Sequence, residues 1–332
     1  MKKIISLVIT LVLILSVFAS CTSPNPSTPE QTKLRIGYMA GPTGMGMAKL
    51  ISDNGGLENG NDKYSFTKYA DTNAAKTDLA AGKIDIICLP TNEAAVYFNS
   101  VDKGAKVLAI NCLNSLYLIT DKNTTATTLR SLEGQTIYTC KNGTPRMILE
   151  YIIKEAGINA TVSYEYDGKE ILTPDALSSL VVAAKLPNAV MPEPKVTASL
   201  LAIKKNGNPD IEYSVDVDLS VEWAMINETP IAMGCIVASG KLVKENKAAI
   251  DAFLTEYKAS VDYIGNPMNI DSAANYVVET GVMAAAPAAK MALDNLGGSI
   301  SYIDGANMKS TLVAFYKAIG VSLPDDSFYY EK

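Results

Sequence analysis

Short apolar runs typical of β-strands alternate with amphipathic helical patterns along most of this 332-residue chain. The first strand pattern covers 34–39, and the unbroken apolar run 84–89 is typical of a strand that is buried on both faces of a sheet. A second series begins at the strand pattern 135–140 and the helical pattern 146–156. The alternation predicts an α/β fold with mostly parallel sheets, followed by a helical C-terminal segment.

The N-terminus has the pattern of an export signal. Lys2 and Lys3 precede the apolar run 4–17, which is too short to span a bilayer, and small residues then lead to Cys21. This order resembles a bacterial lipobox, although an ordinary secretory signal with a chance cysteine is the alternative. We expect residues 1–20 to be a lipoprotein signal peptide, Cys21 to be lipidated, and the proline-rich segment 21–33 to be a tether. The predicted location is the extracytoplasmic side of the cell membrane.

Composition limits the number of domains and the kinds of catalytic, metal and nucleic-acid sites that the chain can contain. The residues after the signal exceed what one hydrophobic core usually serves, so two lobes are expected. The chain contains no histidine, which excludes histidine-based nucleophile pairs and histidine-ligated metal sites. Its formal net charge is −6 and it has no run of basic residues, so nucleic acid is not an expected partner. We predict no metal, no cofactor and no enzymatic activity.

Four cysteines follow the signal: Cys88, Cys112, Cys140 and Cys235. Each lies in or beside an apolar strand-like run, and the spacing CxxC does not occur. The pattern favours buried free thiols, with a disulfide between Cys112 and Cys235 as the first alternative. The single tryptophan, Trp223, is predicted to lie in the core, with the wall of a cleft as the alternative.

Polar turns follow three of the predicted strands. The turn 40–46 is rich in glycine, and a second turn contains Pro90, Thr91 and Asn92. In the third, 142–145, Thr144 is predicted to cap a helix that Pro145 begins. Each turn alone is equally consistent with an ordinary connection. Because ligands bind at the carboxyl ends of strands in open α/β sheets, the three together predict a cleft that uses helix N-termini.

The order of the motifs resembles a known family, the nitrate/sulfonate/taurine-type substrate-binding lipoproteins of ABC importers, which are related to thiamine-pyrimidine synthases. The resemblance rests on five segments of the sequence: 36–44, 79–86, 129–137, 191–194 and 246–257. It implies a two-lobed type II periplasmic-binding fold with a ligand cleft between the lobes. Lobe 1 would comprise 34–116 plus 236–332, and lobe 2 would comprise 117–235.

The resemblance also implies a set of cleft residues. The expected ligand contacts are Pro42, Thr43, Gly44, Met45, Pro90, Thr91, Asn92, Asn114, Ser115, Asn142, Gly143, Thr144, Pro145 and Glu193. For Glu193 the alternative is a carboxylate that only caps and orders the loop between two prolines.

The expected function is capture of a small anionic or heteroatom-rich solute and its delivery to an ABC permease by a monomeric lipoprotein. One alternative is a membrane-anchored sensor that uses the same cleft. A second is an exported enzyme of carboxylate or lysine type, which would need a close acid pair that the sequence does not display.

Overall fold

Strands and helices alternate through residues 33–332, the part of the chain that the computed structural model describes. The strands are β1 (Leu34–Met39), β2 (Tyr64–Tyr69), β3 (Ile86–Pro90), β4 (Lys106–Leu113), β5 (Leu116–Asp121), β6 (Thr136–Tyr138), β7 (Thr161–Ser163), β8 (Glu165–Tyr166), β9 (Lys169–Glu170), β10 (Asn188–Pro192), β11 (Tyr213–Asp218), β12 (Ala232–Ala238) and β13 (Ile300–Ile303). The predicted signal peptide, Cys21 and almost all of the tether lie outside the described residues.

The α-helices of the same part of the chain are α1 (Pro42–Met45), α2 (Ala48–Asp53), α3 (Gly56–Asn59), α4 (Thr72–Ala80), α5 (Thr91–Ser100), α6 (Thr144–Glu155), α7 (Pro174–Val182), α8 (Lys195–Asn206), α9 (Leu219–Ala224), α10 (Gly240–Glu245), α11 (Lys247–Ile264), α12 (Ile270–Glu279), α13 (Ala286–Leu296) and α14 (Gly305–Ala318). Short 3₁₀ helices occur at Leu129–Leu132, Pro267–Asn269 and Asp326–Phe328.

The larger sheet has six strands in the order β13-β4-β12-β3-β1-β2. Strands β1 to β4 point in one direction, and β12 and β13 point in the other. Residues 86–89 of β3 are fully buried, as the unbroken apolar run predicts. The C-terminal residues extend this sheet, because Tyr329 bridges to Val107 and the Tyr330 amide donates to the Val107 carbonyl at 3.0 Å.

The smaller sheet has the order β10-β5-β11 and is antiparallel. The parallel pair β6-β7 lies beside it. The side chain of Asn188 joins the two, since it accepts from the Tyr138 amide at 3.2 Å and donates to the Thr136 carbonyl at 3.0 Å. The chain crosses from the larger to the smaller sheet between β4 and β5, and it returns before β12.

The predicted α/β architecture is confirmed, but the sheets contain fewer parallel pairs than expected. Among the described strands, parallel pairing joins only β1 to β2 and β3, and β6 to β7. The reason is the returning strand β12, which inserts between β3 and β4 and is antiparallel to both. It begins at Ala232, before the boundary at 236 that the resemblance implies. The short strand β13 lies in the C-terminal segment, which the sequence pattern predicts to be mainly helical, between two of the predicted helices.

One apolar core is continuous between the two sheets. It contains Ile87 of the larger sheet and Leu118 of the smaller sheet. Trp223 is only 1% exposed, and its ring lies 5.1 Å from that of Tyr151 and 5.6 Å from that of Phe315 between centroids. The prediction of a core tryptophan is therefore confirmed. A second core lies between the larger sheet and helices α2, α11, α12 and α13.

Candidate functional site

The turn after β1 forms α1 and depends on two glycines. Gly41 has a φ of 135°, which residues with a Cβ rarely adopt. A Cβ on Gly44 would lie 2.0 Å from a backbone oxygen of β1. Gly44 and Met45 are buried, whereas Pro42 and Thr43 are partly exposed. The turn therefore exposes its first two residues at the carboxyl end of β1.

Asn111 of β4 lies beside this turn, although no sequence motif singles it out. Its Nδ2 donates to the Tyr257 hydroxyl at 2.7 Å and to the Thr43 carbonyl at 3.5 Å. Its Oδ1 is buried and has no hydrogen-bond partner among residues 33–332. Gly234 leaves room for the turn, since a Cβ there would lie 2.1 Å from the Thr43 methyl group. Neutral polar groups therefore hold the Thr43 turn on the larger sheet.

The turn from β3 into α5 contains Pro90, Thr91 and Asn92. Pro90 is the N-cap residue and supplies no side-chain cap. The Thr91 hydroxyl donates to the Ala232 carbonyl at 2.5 Å, and the Thr91 carbonyl accepts from the Tyr316 hydroxyl at 2.9 Å. Thr91 is thus bound within the larger sheet and its helices. The Asn92 side chain is buried and makes a different contact, with α6.

Asn114 and Ser115 join the two sheets and have left-handed backbone conformations, with φ of 53° and 66°. Such values are uncommon outside glycine, and asparagine is among the residues that tolerate them best. The Asn114 amide donates to the Ile231 carbonyl at 2.8 Å, which pairs the two crossing segments. The Ser115 carbonyl accepts from the Glu193 amide at 3.1 Å. The connection from the larger to the smaller sheet is therefore tight and hydrogen-bonded.

The predicted cap of α6 is wrong by one residue. Gly143 is the N-cap residue, with a φ of 97° and no side chain, so Thr144 and Pro145 both lie inside the first turn. The Thr144 hydroxyl does not cap the helix because it donates to Asn92 Oδ1 at 2.9 Å. Asn142 and Gly143 are exposed, whereas Thr144 and Pro145 are buried. A tertiary contact has replaced the local one that the sequence predicts.

The contact between Thr144 and Asn92 brings the N-termini of α5 and α6 together from opposite sheets. Among the described residues, the first-turn amides of Asn92 and Arg146 have no hydrogen-bond acceptor. Helix α6 has no acidic residue in its first turn, and Glu93 of α5 pairs with Lys76. Helix N-termini carry partial positive charge. The arrangement suits a ligand group that is negative or accepts hydrogen bonds.

Two cationic side chains lie near the N-terminus of α6, on the side of the smaller sheet. The Arg146 guanidinium lies 5.6 Å from the centroid of the Tyr164 ring, and the Lys141 ammonium lies 5.9 Å from it. Each cation also pairs with a carboxylate: Arg146 with Glu150 at 3.4 Å, and Lys141 with Glu170. The Arg146 Nε is buried without a hydrogen-bond partner in residues 33–332. The sequence does not single out either cation, because both are isolated basic residues rather than part of a run.

Glu193 is bound by groups of the protein itself. It is 1% exposed, and its carboxylate accepts from the Thr197 amide at 3.2 Å, the Thr197 hydroxyl at 2.9 Å and Asn295 Nδ2 at 2.9 Å. Burial raises the pKa of Glu193, and these three hydrogen bonds oppose that increase. The contacts match the alternative in which Glu193 orders its own loop.

Asn295 connects Glu193 and Thr197, which follow the smaller sheet, to the larger sheet. It lies on α13, which packs against the larger sheet, whereas Glu193 follows β10 of the smaller sheet. Its Nδ2 also donates to the Thr197 hydroxyl at 3.0 Å, and its carbonyl accepts from the Tyr117 hydroxyl at 2.7 Å. Sequence reasoning missed Asn295, because a lone asparagine inside a helical pattern carries no signal of a distant partner.

The structure thus brings together some of the predicted residues in pairs. Asn92 contacts Thr144, and Ser115 contacts Glu193. Within residues 33–332, no hydrogen bond joins the Thr43 turn to either pair. A separate cavity of about 110 Å³ lies between the ends of α11 and α13, and none of the predicted residues lines it.

Buried thiols and acidic groups offer no further site in the described part of the chain. Burial raises the pKa of Cys88 and Cys112 to about 12 and that of Cys140 to about 11, and all four described cysteines are free. The preferred interpretation of buried free thiols is confirmed. Residues 33–332 contain no cluster of three or more acidic or cysteine side chains that could hold a metal ion. No helix in that range has the length and apolar character needed to span a bilayer.

Comparison with known proteins identifies the fold. No protein-family model matches the chain, and a search of curated proteins gave no significant match. Among solved structures, an ABC transporter protein from Parabacteroides distasonis has a TM-score of 0.67 and 19% identity, covering 91% of this chain and 99% of that one. The periplasmic aliphatic sulphonate binding protein SsuA from Escherichia coli has a TM-score of 0.66 and 18% identity, covering 92% and 93%.

A third structure, the periplasmic nitrate-binding protein NrtA from Synechocystis PCC 6803, has a TM-score of 0.58 and 14% identity, covering 84% of this chain and 75% of that one. These similarities extend over nearly all of the described residues at low sequence identity. The chain therefore has the two-lobed α/β fold of the periplasmic binding proteins of ABC import systems.

Proposed function

We propose that this protein is the solute-binding component of an ABC-type importer, which captures a small solute between two lobes and delivers it to a membrane permease. Its fold is shared with proteins described as an aliphatic sulphonate binding protein and a nitrate-binding protein. The contact between Thr144 and Asn92 carries the proposal. It brings one helix N-terminus from each sheet to the same point, where a ligand held between the lobes would contact both.

The lobes that we propose follow the two sheets. The division implied by the resemblance, 34–116 plus 236–332 and 117–235, needs one adjustment, because the whole of β12 pairs with β3 and β4. The return crossing then lies between α9 and β12. The cleft lies where α5 of the first lobe faces α6 of the second.

The proposed solute is small and anionic or rich in heteroatoms. Two helix N-termini with unpaired amides favour a group that accepts hydrogen bonds. Arg146 and Lys141 lie on one side of the cleft, where each also pairs with an exposed carboxylate, Glu150 and Glu170 respectively. Glu193, the one carboxylate among the predicted contacts, already accepts three hydrogen bonds from the protein. Binding is therefore better supported than acid–base catalysis, which needs a carboxyl group that is free to exchange a proton.

The membrane attachment is proposed from the sequence alone. Cys21 follows a short apolar segment and precedes a proline-rich stretch, which supports a lipid anchor on the extracytoplasmic side. Mass spectrometry of the native protein tests this attachment. A mature N-terminus elsewhere than at an acylated Cys21 would exclude it.

A ligand screen followed by calorimetry tests the proposed function. Thermal-shift screening against small oxyanions, sulfonates and carboxylates should give a stabilising solute, because a ligand that binds only the folded state raises stability. The variants Thr43→Ala, Asn92→Ala and Thr144→Val should then each weaken its binding by about tenfold, which corresponds to roughly 1.4 kcal/mol. Asn206→Ala, an exposed asparagine at the end of α8, is the matched control and should bind normally.

Two outcomes would contradict the proposal. Unchanged affinity in both Thr43→Ala and Asn92→Ala would move the binding site away from the lobe interface. Normal uptake of the identified solute by cells that lack the protein would leave binding intact but remove the importer role, in favour of a sensor.

A further inference from the structure

Asn142 and Gly143 form an exposed Asn-Gly pair in the turn that leads into α6. We propose that Asn142 is a site of spontaneous deamidation, which converts it to aspartate or isoaspartate at the mouth of the proposed cleft. Asparagine is among the chemically labile residues. Glycine in the following position makes it most labile, because the absence of a Cβ leaves the glycine amide nitrogen free to approach the asparagine side chain.

The local geometry leaves both reacting groups available. No hydrogen bond within residues 33–332 engages the Asn142 side-chain amide or the Gly143 backbone amide. Asn142 lies before the first turn of α6, so helical hydrogen bonds do not fix its backbone. Its main contact is through its carbonyl oxygen, which accepts from Cys140 Sγ at 3.3 Å.

The same chain provides a control with an identical tripeptide. Lys205, Asn206 and Gly207 repeat the order of Lys141, Asn142 and Gly143, and Asn206 is also exposed. Asn206, however, is the last residue of α8, and the Gly207 amide donates to the Lys204 carbonyl at 3.3 Å. The helix therefore holds the attacking nitrogen in a hydrogen bond, which slows the reaction.

A third Asn-Gly pair is protected more completely. Asn54 is 8% exposed, its Nδ2 donates to the Leu50 carbonyl at 2.8 Å, and its Oδ1 accepts from Asn61 Nδ2 at 2.7 Å. Both ends of this side-chain amide are hydrogen-bonded, and the Gly55 amide donates to the Ser52 carbonyl at 3.3 Å. Among these three of the chain's four Asn-Gly pairs, the expected order of reaction in the folded protein is Asn142, then Asn206, then Asn54.

The reaction needs no partner other than water. The Gly143 amide nitrogen loses its proton and attacks Cγ of Asn142, a new C–N bond closes a succinimide ring, and the side-chain nitrogen leaves as ammonia. Water then opens the ring at one of its two carbonyl carbons. One product is aspartate, and the other is isoaspartate, which adds a methylene group to the backbone just before the N-cap of α6.

The effect of deamidation on ligand binding rests on the proposed function. Either product places a negative charge next to the N-terminus of α6, where the first-turn amides and Arg146 favour an anionic ligand group. The new carboxylate competes for these donors and repels such a ligand. Deamidation of Asn142 would therefore lower the affinity of the protein for an anionic solute as the protein ages.

Peptide mapping by mass spectrometry tests the modification without any ligand. Folded protein is incubated at mildly alkaline pH, which favours loss of the amide proton, and a denatured sample serves as the reference. We expect the Asn142 peptide to convert several-fold faster than the Asn206 peptide in the folded protein, and the two to convert at similar rates in the denatured one. Equal rates in the folded protein, or an unchanged Asn142 peptide, would overturn the proposal.

Binding variants test the consequence separately. Asn142→Asp should weaken binding of an anionic ligand from the screen by several-fold, whereas Asn206→Asp adds the same charge elsewhere and should leave binding unchanged. Asn142→Gln should keep the affinity of aged samples constant. If peptide mapping shows conversion while Asn142→Asp binds normally, the modification stands and the position of the proposed cleft is wrong.

Discussion

Replacing Asn295 by alanine should lower the free energy of unfolding by about 2 kcal/mol. The change removes one hydrogen bond to the buried carboxylate of Glu193 and one to the Thr197 hydroxyl. A hydrogen bond to a charged group contributes about 1.5–3 kcal/mol, and the lower part of that range applies because Thr197 still supplies two donors to Glu193. At roughly 2–4 °C per kcal/mol for a larger domain, the Tm should fall by several degrees.

The pH dependence of this contact has a definite sign. Burial raises the pKa of Glu193 above its value in the unfolded chain, which is about 4.3. The folded protein therefore binds more protons between the two pKa values, so the contribution of Glu193 to stability is complete below the unfolded pKa and is lost as the pH rises through the folded pKa. Glu193→Gln removes this dependence.

Asn295→Asp makes the test sharper, because it places a second carboxylate beside Glu193. Its destabilisation relative to Asn295→Ala should grow as the pH rises and should diminish in acid, where one of the two carboxyl groups holds a proton. Thermal unfolding followed by circular dichroism between about pH 5 and pH 8 measures this difference.

Asn307→Ala, an exposed asparagine on α14, is the matched control. If Asn295→Ala unfolds at the same temperature as this control, the contact contributes nothing. If Asn295→Asp unfolds at the same temperature as Asn295→Ala near neutral pH, or at a higher one, the two carboxylates are not neighbours and the reasoning fails.

Three further predictions concern individual side chains. Thr144→Val should lower the free energy of unfolding, measured by chemical denaturation, by about 1 kcal/mol, because it leaves Asn92 Oδ1 without its hydrogen-bond donor. Thr144→Ser keeps the hydroxyl and should retain most of that stability. An equal loss in both variants would contradict the contact. The thiols of Cys88, Cys112, Cys140 and Cys235 should resist alkylation in the folded protein, because burial raises their pKa, and all four should react after denaturation without reductant. Fewer than four labelled thiols, with Cys21 discounted, would indicate a disulfide. Trp223, at 1% exposure, should be shielded from acrylamide quenching until the protein unfolds; quenching like that of a free indole would place it outside the core.

Local patterns predict the fold where a local rule decides the structure. The apolar run 84–89 forms the buried strand β3, and Asp71 caps α4 because its carboxylate accepts from the Asn73 and Ala74 amides. Strand β13 was missed for a physical reason. It has only four residues, it follows a helix, and its identity as a strand comes from pairing with β4, which lies far away in the sequence.

The candidate site also contains some features that the local sequence predicts and others that depend on distant contacts. Glycine at 41 and 143 marks turns that need unusual backbone angles, and such turns can be read from sequence. The cap of α6 could not, because the Thr144 hydroxyl bonds to Asn92, 52 residues earlier, instead of its own helix. Asn295 lies 102 residues from Glu193, and only the finished fold brings the two together.

The order of the strands in the larger sheet also limits which parts of the chain can fold without the others. Strands β12 and β13 pair within that sheet and Tyr330 contacts its strand β4, so the sheet cannot be completed without residues as far along the chain as Tyr330. The smaller sheet uses only residues from β5 to β11, which can pair without the later part of the chain. A chain cut shortly before Tyr330 would therefore keep a complete smaller sheet beside a larger sheet that lacks its last contact.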